Sequence, residues 1–204
     1  MSVGRAPTWG GFSVLKGERV TLRQIREADL ETFWSLHADI ANRGAYYPLG
    51  VLSEPAFRKQ FAETGFWTRE EGTLLITTGD ARILGSIEFF PTVRYLSEVE
   101  LSYQLFDRAD DGHGYVSEAV GLLVRYLFEN KALNRIRLII HPGNAGSQRV
   151  AEKSGFQREG VMRGAFLSGG RYQDVQLWSI IHDDVIESDR SLTRPKRRTQ
   201  DLLL

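Results

Sequence analysis

The strongest indication of the fold is the segment Asp107-Arg-Ala-Asp-Asp-Gly-His-Gly-Tyr-Val-Ser-Glu-Ala119, which joins a predicted strand to a predicted helix. Because glycine has no side chain, this loop can point several backbone N–H groups at one anion, and the dipole of the following helix adds partial positive charge. A second segment, Asn144-Ala-Gly-Ser-Gln-Arg-Val-Ala-Glu-Lys-Ser-Gly-Phe156, follows the next predicted strand and supplies polar groups where that strand ends. Together the two segments predict a protein that holds a phosphorylated carrier and performs chemistry at its far end.

The composition excludes several classes of function. The 204 residues carry no net formal charge, so no overall field favours nucleic acid or an anionic membrane as a partner. Cysteine is absent, which excludes disulfides, thiolate metal sites and a cysteine nucleophile; the four histidines lack close paired spacing, so we expect no metal. The chain has no signal-type amino terminus and no run of about 18 apolar residues, which favours a cytoplasmic protein.

Hydrophobic periodicity predicts a mixed α+β chain with an early hairpin at Gly79-Asp80 and a later strand–helix–strand unit. The predicted strands cover residues 20–25, 73–78, 82–90, 98–105 and 135–140, with two more between 156 and 181. The predicted helices cover residues 26–41, a segment capped by Ser53, the segment after the glycine loop, and residues 147–154. We expect one domain over residues 17–184, preceded by a flexible leader, 1–16, and followed by a basic tail, 185–204.

The glycine loop lacks the third glycine of a dinucleotide-binding motif, since Ser117 stands there, and no P-loop lysine follows. The order of the motifs instead resembles the GNAT superfamily of N-acetyltransferases, and within it the ribosomal-protein-alanine N-acetyltransferase-like branch. The resemblance is carried by Glu100-Leu-Ser-Tyr-Gln-Leu105, by Gly112-His-Gly-Tyr-Val-Ser-Glu-Ala119, and by Asn144 to Phe156, continuing through Glu159-Gly-Val-Met-Arg163 to Gly170-Arg-Tyr-Gln-Asp174. It spans most of the chain and implies a splayed mixed sheet of about seven strands flanked by helices, with acetyl-CoA or another acyl-CoA in the splay.

The resemblance implies an acyl-CoA site built around the glycine loop and its two neighbouring strands. Its residues are Leu101, Tyr103 and Leu105; Gly112, His113, Gly114, Tyr115, Val116 and Ser117; and Asn144, Ser147 and Lys153. Two positions depart from the family's loop pattern, since Asp111 replaces the usual arginine or glutamine and Val116 replaces a small residue. Asp107, Asp110 and Asp111 together make the loop entrance acidic, which predicts weaker cofactor binding or an unusual donor.

The implied reaction is direct attack of a neutral primary amine on the thioester, through a tetrahedral intermediate. Many superfamily members have a proton-donating tyrosine where this chain has Ala151, whereas the resembling branch has a serine at the position of Ser147. A coenzyme A thiol has a pKa near that of cysteine, about 8.5, so a hydrogen-bond donor such as Ser147 suffices for the thiolate; a purely capping role for Ser147 stays open. Glu100 is the candidate base, acting through water, with Glu88 and His141 as alternatives.

The resemblance places the acceptor between the loop that joins the first two helices and the segment from residue 163 to 174. The candidate substrate-binding residues are Trp34, Tyr46, Tyr47, Arg163 and Tyr172. Neither loop has a dense carboxylate patch, and their arginines favour a carboxylate or a peptide backbone, so we expect a small amine, an amino acid derivative or a protein amino terminus as acceptor. Two alternative functions stay open: transfer from a carrier protein or a longer acyl-CoA, and a non-catalytic ligand-sensing module. Assembly as a homodimer also stays open.

Overall fold

A computed structural model describes residues 14–40, 44, 46, 50, 51, 53–93 and 95–185 of the chain. Its strands are β1 (Val14–Lys16), β2 (Thr21–Gln24), β3 (Gly72–Thr77), β4 (Ile83–Pro91), β5 (Glu98–Leu105), β6 (Arg135–Ile140), β7 (Gln157–Ser168) and β8 (Arg171–Ile181). Its helices are α1 (Leu30–Ala38), α2 (Glu54–Thr64), α3 (Tyr115–Asn130) and α4 (Ala145–Lys153), with short 3-10 turns at Glu27–Asp29 and Arg108–Asp110. Within these described ranges, no helix is long and apolar enough to cross a membrane.

The strands form one mixed sheet in the order β1-β2-β3-β4-β5-β6-β8-β7. Neighbouring strands are antiparallel except β5 and β6, which are parallel because α3 carries the chain back between them. This confirms the mixed α+β architecture, with one strand more than the resemblance implied. The first strand lies within the segment expected to be a flexible leader, since Val14–Lys16 pair with residues 21–23.

Helix α3 packs its apolar stripe on the centre of the sheet. The side chains of this stripe recur at three- and four-residue spacing and are all buried: Ala119, Val120, Leu123, Val124, Leu127 and Phe128. A fully buried large apolar side chain contributes roughly 1.5–3 kcal/mol. The stripe therefore holds α3, and with it the glycine loop at its amino end, firmly against the sheet.

The opposite face of the sheet is covered by α1 and α2 over its first strands. The Phe33 ring of α1 lies 5.6 Å from the Phe57 ring of α2, 6.1 Å from Phe66 and 6.2 Å from Phe106, measured between ring centroids. Trp34 packs against the same cluster, with its ring 5.2 Å from that of Phe57. These aromatic contacts fix the two helices on this face of the sheet.

Strands β5 and β6 separate partway along their length. Their ladder contains three residue pairs, Glu98–Arg135, Val99–Ile136 and Glu100–Arg137. Beyond these pairs, residues 101–105 pair with β4 and residues 138–140 pair with β8. Both strands lie wholly within the described part of the chain, and their ladders diverge into a cleft at their carboxyl ends. We call this cleft, between residues 101–105 and 138–140, the splay; backbone polar groups on its two lips lack strand partners.

Candidate active site

The amino ends of two helices flank the splay, and the first belongs to the glycine loop. Gly112 and Gly114 have φ angles of 80° and 81°, in the left-handed region that favours glycine, and α3 begins directly after them. The Glu118 N–H donates to the Gly114 carbonyl at 3.1 Å, so the N–H groups of residues 115–117 have no acceptor within the helix. A Cβ added to Gly112 would meet no atom within 4 Å, so this side of the loop is open to an anion.

The loop entrance is less acidic than its sequence suggests. Asp110 is buried, and both of its carboxylate oxygens accept hydrogen bonds from Arg82, at 2.8 and 2.9 Å. These hydrogen bonds hold the pKa of Asp110 below its usual value. Asp107 caps the short helical turn before the loop by accepting the Ala109 N–H at 2.8 Å. Of the three aspartates, Asp111 is the one whose side chain is exposed and makes no hydrogen bond or ion pair with the described residues.

The two departures from the family's loop pattern have different environments. Val116 is partly buried against the main core, so its extra bulk is accommodated on the inner side of α3. Asp111 is exposed and adds negative charge beside the anion-binding N–H groups. Of the two substitutions, Asp111 is therefore the one that bears on phosphate binding.

Arg19 brings a positive charge to the loop that sequence inspection missed. Its Nη1 donates to the His113 carbonyl at 3.2 Å, and a Cβ added to Gly114 would lie 2.7 Å from the same nitrogen. The Glu118 carboxylate accepts the N–H groups of Glu18 and Arg19, which ties the β1–β2 turn to the first turn of α3. Arg19 is exposed, so the rest of its guanidinium faces solvent at the place where an anion would bind.

The second helix end belongs to α4 and follows β6. The Asn144 side-chain oxygen accepts the Ser147 N–H at 3.0 Å, which makes Asn144 the cap of this helix. Ser147 thus lies in the first turn of α4, beside the splay. Further along, Lys153 and Ser117 share a cavity of about 330 Å³ between α3 and α4, so two residues expected to bind the cofactor line one space.

Tyr103 of β5 extends its hydroxyl toward Ser147. The Tyr103 ring packs against the main core, and its buried hydroxyl has no hydrogen-bond partner among the described residues. Burial raises the pKa of Tyr103 to about 12, an effect that the nearby Ser147 side chain opposes. Buried polar groups are rarely left without a partner, so this hydroxyl marks a polar position inside the splay.

Glu100 occupies the last residue pair before the splay opens. Its Oε2 accepts a hydrogen bond from Arg137 Nε at 3.0 Å. Burial raises the pKa of Glu100, the charge of Arg137 opposes that change, and the neighbouring Glu98 carboxylate adds to it. Glu98 is itself buried and bonded to Arg135 and Arg137. The arrangement gives Glu100 a proton affinity above that of a free carboxyl, which suits a base at the cleft.

At the end of β6, Tyr46 stacks on His141 with ring centroids 4.7 Å apart. His141 Nδ1 accepts the Gly143 N–H at 3.0 Å, so its proton lies on Nε2, which donates to Gln173 Oε1. Both ring nitrogens are therefore engaged, and His141 has no free nitrogen with which to act as the alternative base. A Cβ added to Gly143 would lie 2.8 Å from the Tyr46 hydroxyl, so the close approach of Tyr46 requires glycine at this position.

The other residues expected to bind the acceptor have different environments. Arg163 of β7 and Tyr172 of β8 are exposed, Tyr172 to 74%. Trp34 contributes to the cluster under α1 and α2 through its contact with Phe57, so packing accounts for its position. Tyr47 lies outside the described residues. Tyr46 is thus the expected acceptor residue that the structure brings to the carboxyl end of β6.

Known proteins similar in sequence to this chain belong to one family. A family model described as an acetyltransferase (GNAT) domain matches residues 19–157. The probable N-acetyltransferase YjcK of Bacillus subtilis is 28% identical over 180 residues, which cover 84% of this chain and 98% of that protein. The uncharacterized N-acetyltransferase p20 of Bacillus licheniformis is 32% identical over 174 residues, which cover 83% and 97%.

A solved structure shares the fold at low sequence identity. The crystal structure of spermidine N-acetyltransferase from Vibrio cholerae, in complex with CoA and spermine, matches with a TM-score of 0.72 and 20% identity, over 82% of this chain and 98% of that one. The segment matched by the family model contains the glycine loop, the splay and the amino ends of α3 and α4. This chain belongs to the GNAT acetyltransferase family and is an acyl-CoA-dependent N-acetyltransferase.

Proposed function

We propose that the chain transfers an acetyl group from acetyl-CoA to the primary amine of a small molecule, an amino acid derivative or a protein amino terminus. The amine attacks directly, through a tetrahedral intermediate. The observation that carries this proposal is the splay, which opens beyond Glu100 with the unpaired N–H groups of α3 on one side and Ser147 on the other. A ligand can therefore bind through an anion at the loop while its far end reaches β5.

The residues around the splay fit an acyl-CoA. The N–H groups of residues 115–117 and the guanidinium of Arg19 suit phosphate groups. The cavity that Lys153 lines between α3 and α4 offers further room beside the loop. The unpaired backbone groups of residues 101–105 suit the amides of the pantetheine arm. Acyl-CoA would supply the thioester carbonyl that is attacked and the thiolate that leaves.

The chain's own groups would divide the work of the reaction. Backbone N–H groups of β5 that face the splay stabilise the negative charge that develops on the thioester oxygen. Glu100 accepts, through water, the proton that the nitrogen loses after attack. An α-amine has a pKa of about 8 and is partly neutral already, whereas a lysine amine, near 10.4, needs more help. Ser147 donates a hydrogen bond to the thiolate.

The residues expected to contact the acceptor amine favour a carboxylate or a peptide backbone over a polyamine. Arg163 and Arg171 are exposed on β7 and β8, and their charges repel a polycation and attract an anion. Asp174 of β8 accepts a hydrogen bond from the Gly164 N–H at 2.8 Å. Tyr46 and His141 add a flat aromatic surface. An amino acid derivative or a protein amino terminus, which carries amides or a carboxylate near its amine, suits these groups.

Two measurements test this function in order. The first is the thermal stability of the full chain with acetyl-CoA and with free CoA, since a ligand at 100 times its Kd stabilises by about 2.7 kcal/mol. No shift with either ligand would refute a CoA-dependent enzyme. The second is thiol release from acetyl-CoA with a panel of amino acid amides, amino-terminal peptides and polyamines. Binding of CoA without thiol release for any amine would favour the ligand-sensing alternative instead.

A further inference from the structure

Tyr103 has a polar atom where phenylalanine would pack equally well. Val99, Leu101 and Tyr103 share one face of β5 and contact the main core. The Tyr103 hydroxyl lies beyond this apolar contact, fully buried and without a partner among the described residues. Leaving a buried donor unpaired costs folding free energy, so the hydroxyl does not serve stability.

The hydroxyls of Tyr103 and Ser147 come from opposite sides of the splay. Tyr103 belongs to β5, and Ser147 to the first turn of α4, which follows β6. The Ser147 side chain is close enough to act on the pKa of Tyr103, although no hydrogen bond of normal geometry joins the two. Ala151, one turn further along α4, is fully buried and offers no donor. The two hydroxyls therefore lie near each other, between β5 and the first turn of α4.

We propose that Tyr103 is a catalytic residue whose hydroxyl donates a hydrogen bond to the sulfur of the leaving thiolate, alongside Ser147. This inference rests on the proposed function. In the step, the C–N bond forms, the C–S bond breaks, and the electron pair of the C–S bond goes to sulfur. The nitrogen loses one proton to Glu100 through water, and the thiolate leaves as an anion that takes a proton from water after release. Tyr103 keeps its own proton throughout.

The protonation state of Tyr103 suits a hydrogen-bond donor and not an acid. Burial raises the pKa of Tyr103 to about 12, so the hydroxyl stays protonated over the physiological range. The thiol of coenzyme A ionises near pH 8.5, so proton transfer from this phenol to the thiolate is unfavourable and the hydrogen bond is the stable outcome. Two donors directed at one anion lower the pKa of the bound thiol.

The pKa of the thiol in bound CoA tests this role without an acceptor amine. Free CoA bound to the full chain is titrated with pH, and its thiolate is followed by ultraviolet absorbance, in wild type, Tyr103→Phe and Ser147→Ala. We expect wild type to lower the thiol pKa below about 8.5, and each variant to raise it again by about one unit, a tenfold loss of thiolate. Tyr126→Phe is the matched control and should leave the thiol pKa unchanged, because Tyr126 is a tyrosine of α3 whose ring packs against that of Trp67.

Two further readouts separate catalysis from packing. The Tm of Tyr103→Phe is expected to equal or exceed that of wild type, because the variant removes an unpaired buried donor. Its affinity for acetyl-CoA is expected to match wild type, because the thioester sulfur carries no charge.

Three results would overturn the inference. The first is a thiol pKa in Tyr103→Phe equal to that of wild type while CoA is still bound. The second is an equal loss of affinity for CoA and acetyl-CoA, which would show that Tyr103 only shapes the cleft. The third is failure of wild type to bind CoA at all, which would refute the proposed function and the inference with it.

Discussion

Replacing Arg19 by glutamine is expected to weaken CoA binding, because this side chain brings positive charge to the glycine loop. Its Nη1 contacts the His113 carbonyl and lies beside Gly114, so it borders the N–H groups that would hold the phosphates. The Glu118 carboxylate holds the backbone of residues 18 and 19 and fixes the place of the guanidinium. Asp111, exposed on the same loop, has the opposite charge. The two residues therefore make a matched pair of perturbations with opposite signs.

The size of the effect follows from the charge and its exposure. Two unit charges 4 Å apart attract by about 1 kcal/mol in water and by about 4 kcal/mol at an effective dielectric of 20. Arg19 is exposed, so the lower part of this range applies. We expect Arg19→Gln to cost about 1–2 kcal/mol, which raises the Kd for CoA about five- to thirtyfold. Asp111→Asn should tighten binding by up to about fivefold, because an exposed charge that makes no hydrogen bond to the ligand contributes about 1 kcal/mol at most.

Isothermal titration calorimetry with CoA measures both changes. Both changes in Kd should become smaller at about 0.3 M salt, because the Debye length there is less than 10 Å and exposed charges are screened. Arg158→Gln is the control, since Arg158 is an exposed arginine on β7. The reasoning would be refuted if Arg19→Gln and Arg158→Gln gave the same Kd, or if the loss in Arg19→Gln did not depend on salt.

Three other substitutions test ion pairs in the sheet, in the turn before α1 and at the splay. Glu98→Gln should lower the free energy of unfolding, measured in urea, by about 3 kcal/mol, because it deprives Arg135 and Arg137 of a buried carboxylate; a loss below about 1 kcal/mol would contradict this. Arg23 Nη1 lies 2.6 Å from Oδ2 of Asp29, in the turn before α1, and this hydrogen-bonded pair holds the pKa of Asp29 below its usual value. The pair therefore stabilises the fold above the unfolded pKa of about 3.9, and this stabilisation is lost as pH falls through the folded pKa. Asp29→Asn should therefore be about 1–2 kcal/mol less stable than wild type at pH 7 and equal to it in strong acid, and a constant difference across pH would contradict the assignment. Glu100→Gln should reduce turnover most at low pH, where neutral amine and hydroxide are scarce, and a pH–rate profile parallel to that of wild type would exclude Glu100 as the base.

The local parts of the site could be predicted because neighbouring residues build them. The positive φ angles of Gly112 and Gly114, and the start of α3 after them, follow from the residue types in that one loop. Asn144 caps α4 through the N–H three residues later, a relation that a single turn of chain contains. The strand pattern likewise predicted the sheet, apart from β1, whose three residues are too few to show a period.

The long-range contacts could not be predicted, because the fold creates them. Arg19 reaches His113 across 94 residues, and only the docking of the β1–β2 turn on α3 brings the two together. The three aspartates predict an acidic loop, because nothing in the sequence pairs Asp110 with a distant arginine. Arg82, directly before β4, forms an ion pair with Asp110, and it lies beside the loop only when β4 and β5 are paired. The meeting of Tyr103 with Ser147 depends in the same way on the divergence of β5 from β6.

The short ladder between β5 and β6 makes the sheet two panels that share a narrow seam. Three residue pairs join the panel of five strands, β1 to β5, to the panel of three, β6 to β8. Each panel has its own complete ladders, so a small rotation about the seam changes the width of the opening without breaking hydrogen bonds inside either panel. A molecule that hydrogen-bonds to both edges of the splay would restrict rotation of the two panels about this short ladder. We therefore expect amide hydrogen exchange to slow together in residues 101–105 and 138–140 when CoA binds, which would link occupancy of the cleft to the rigidity of the whole sheet.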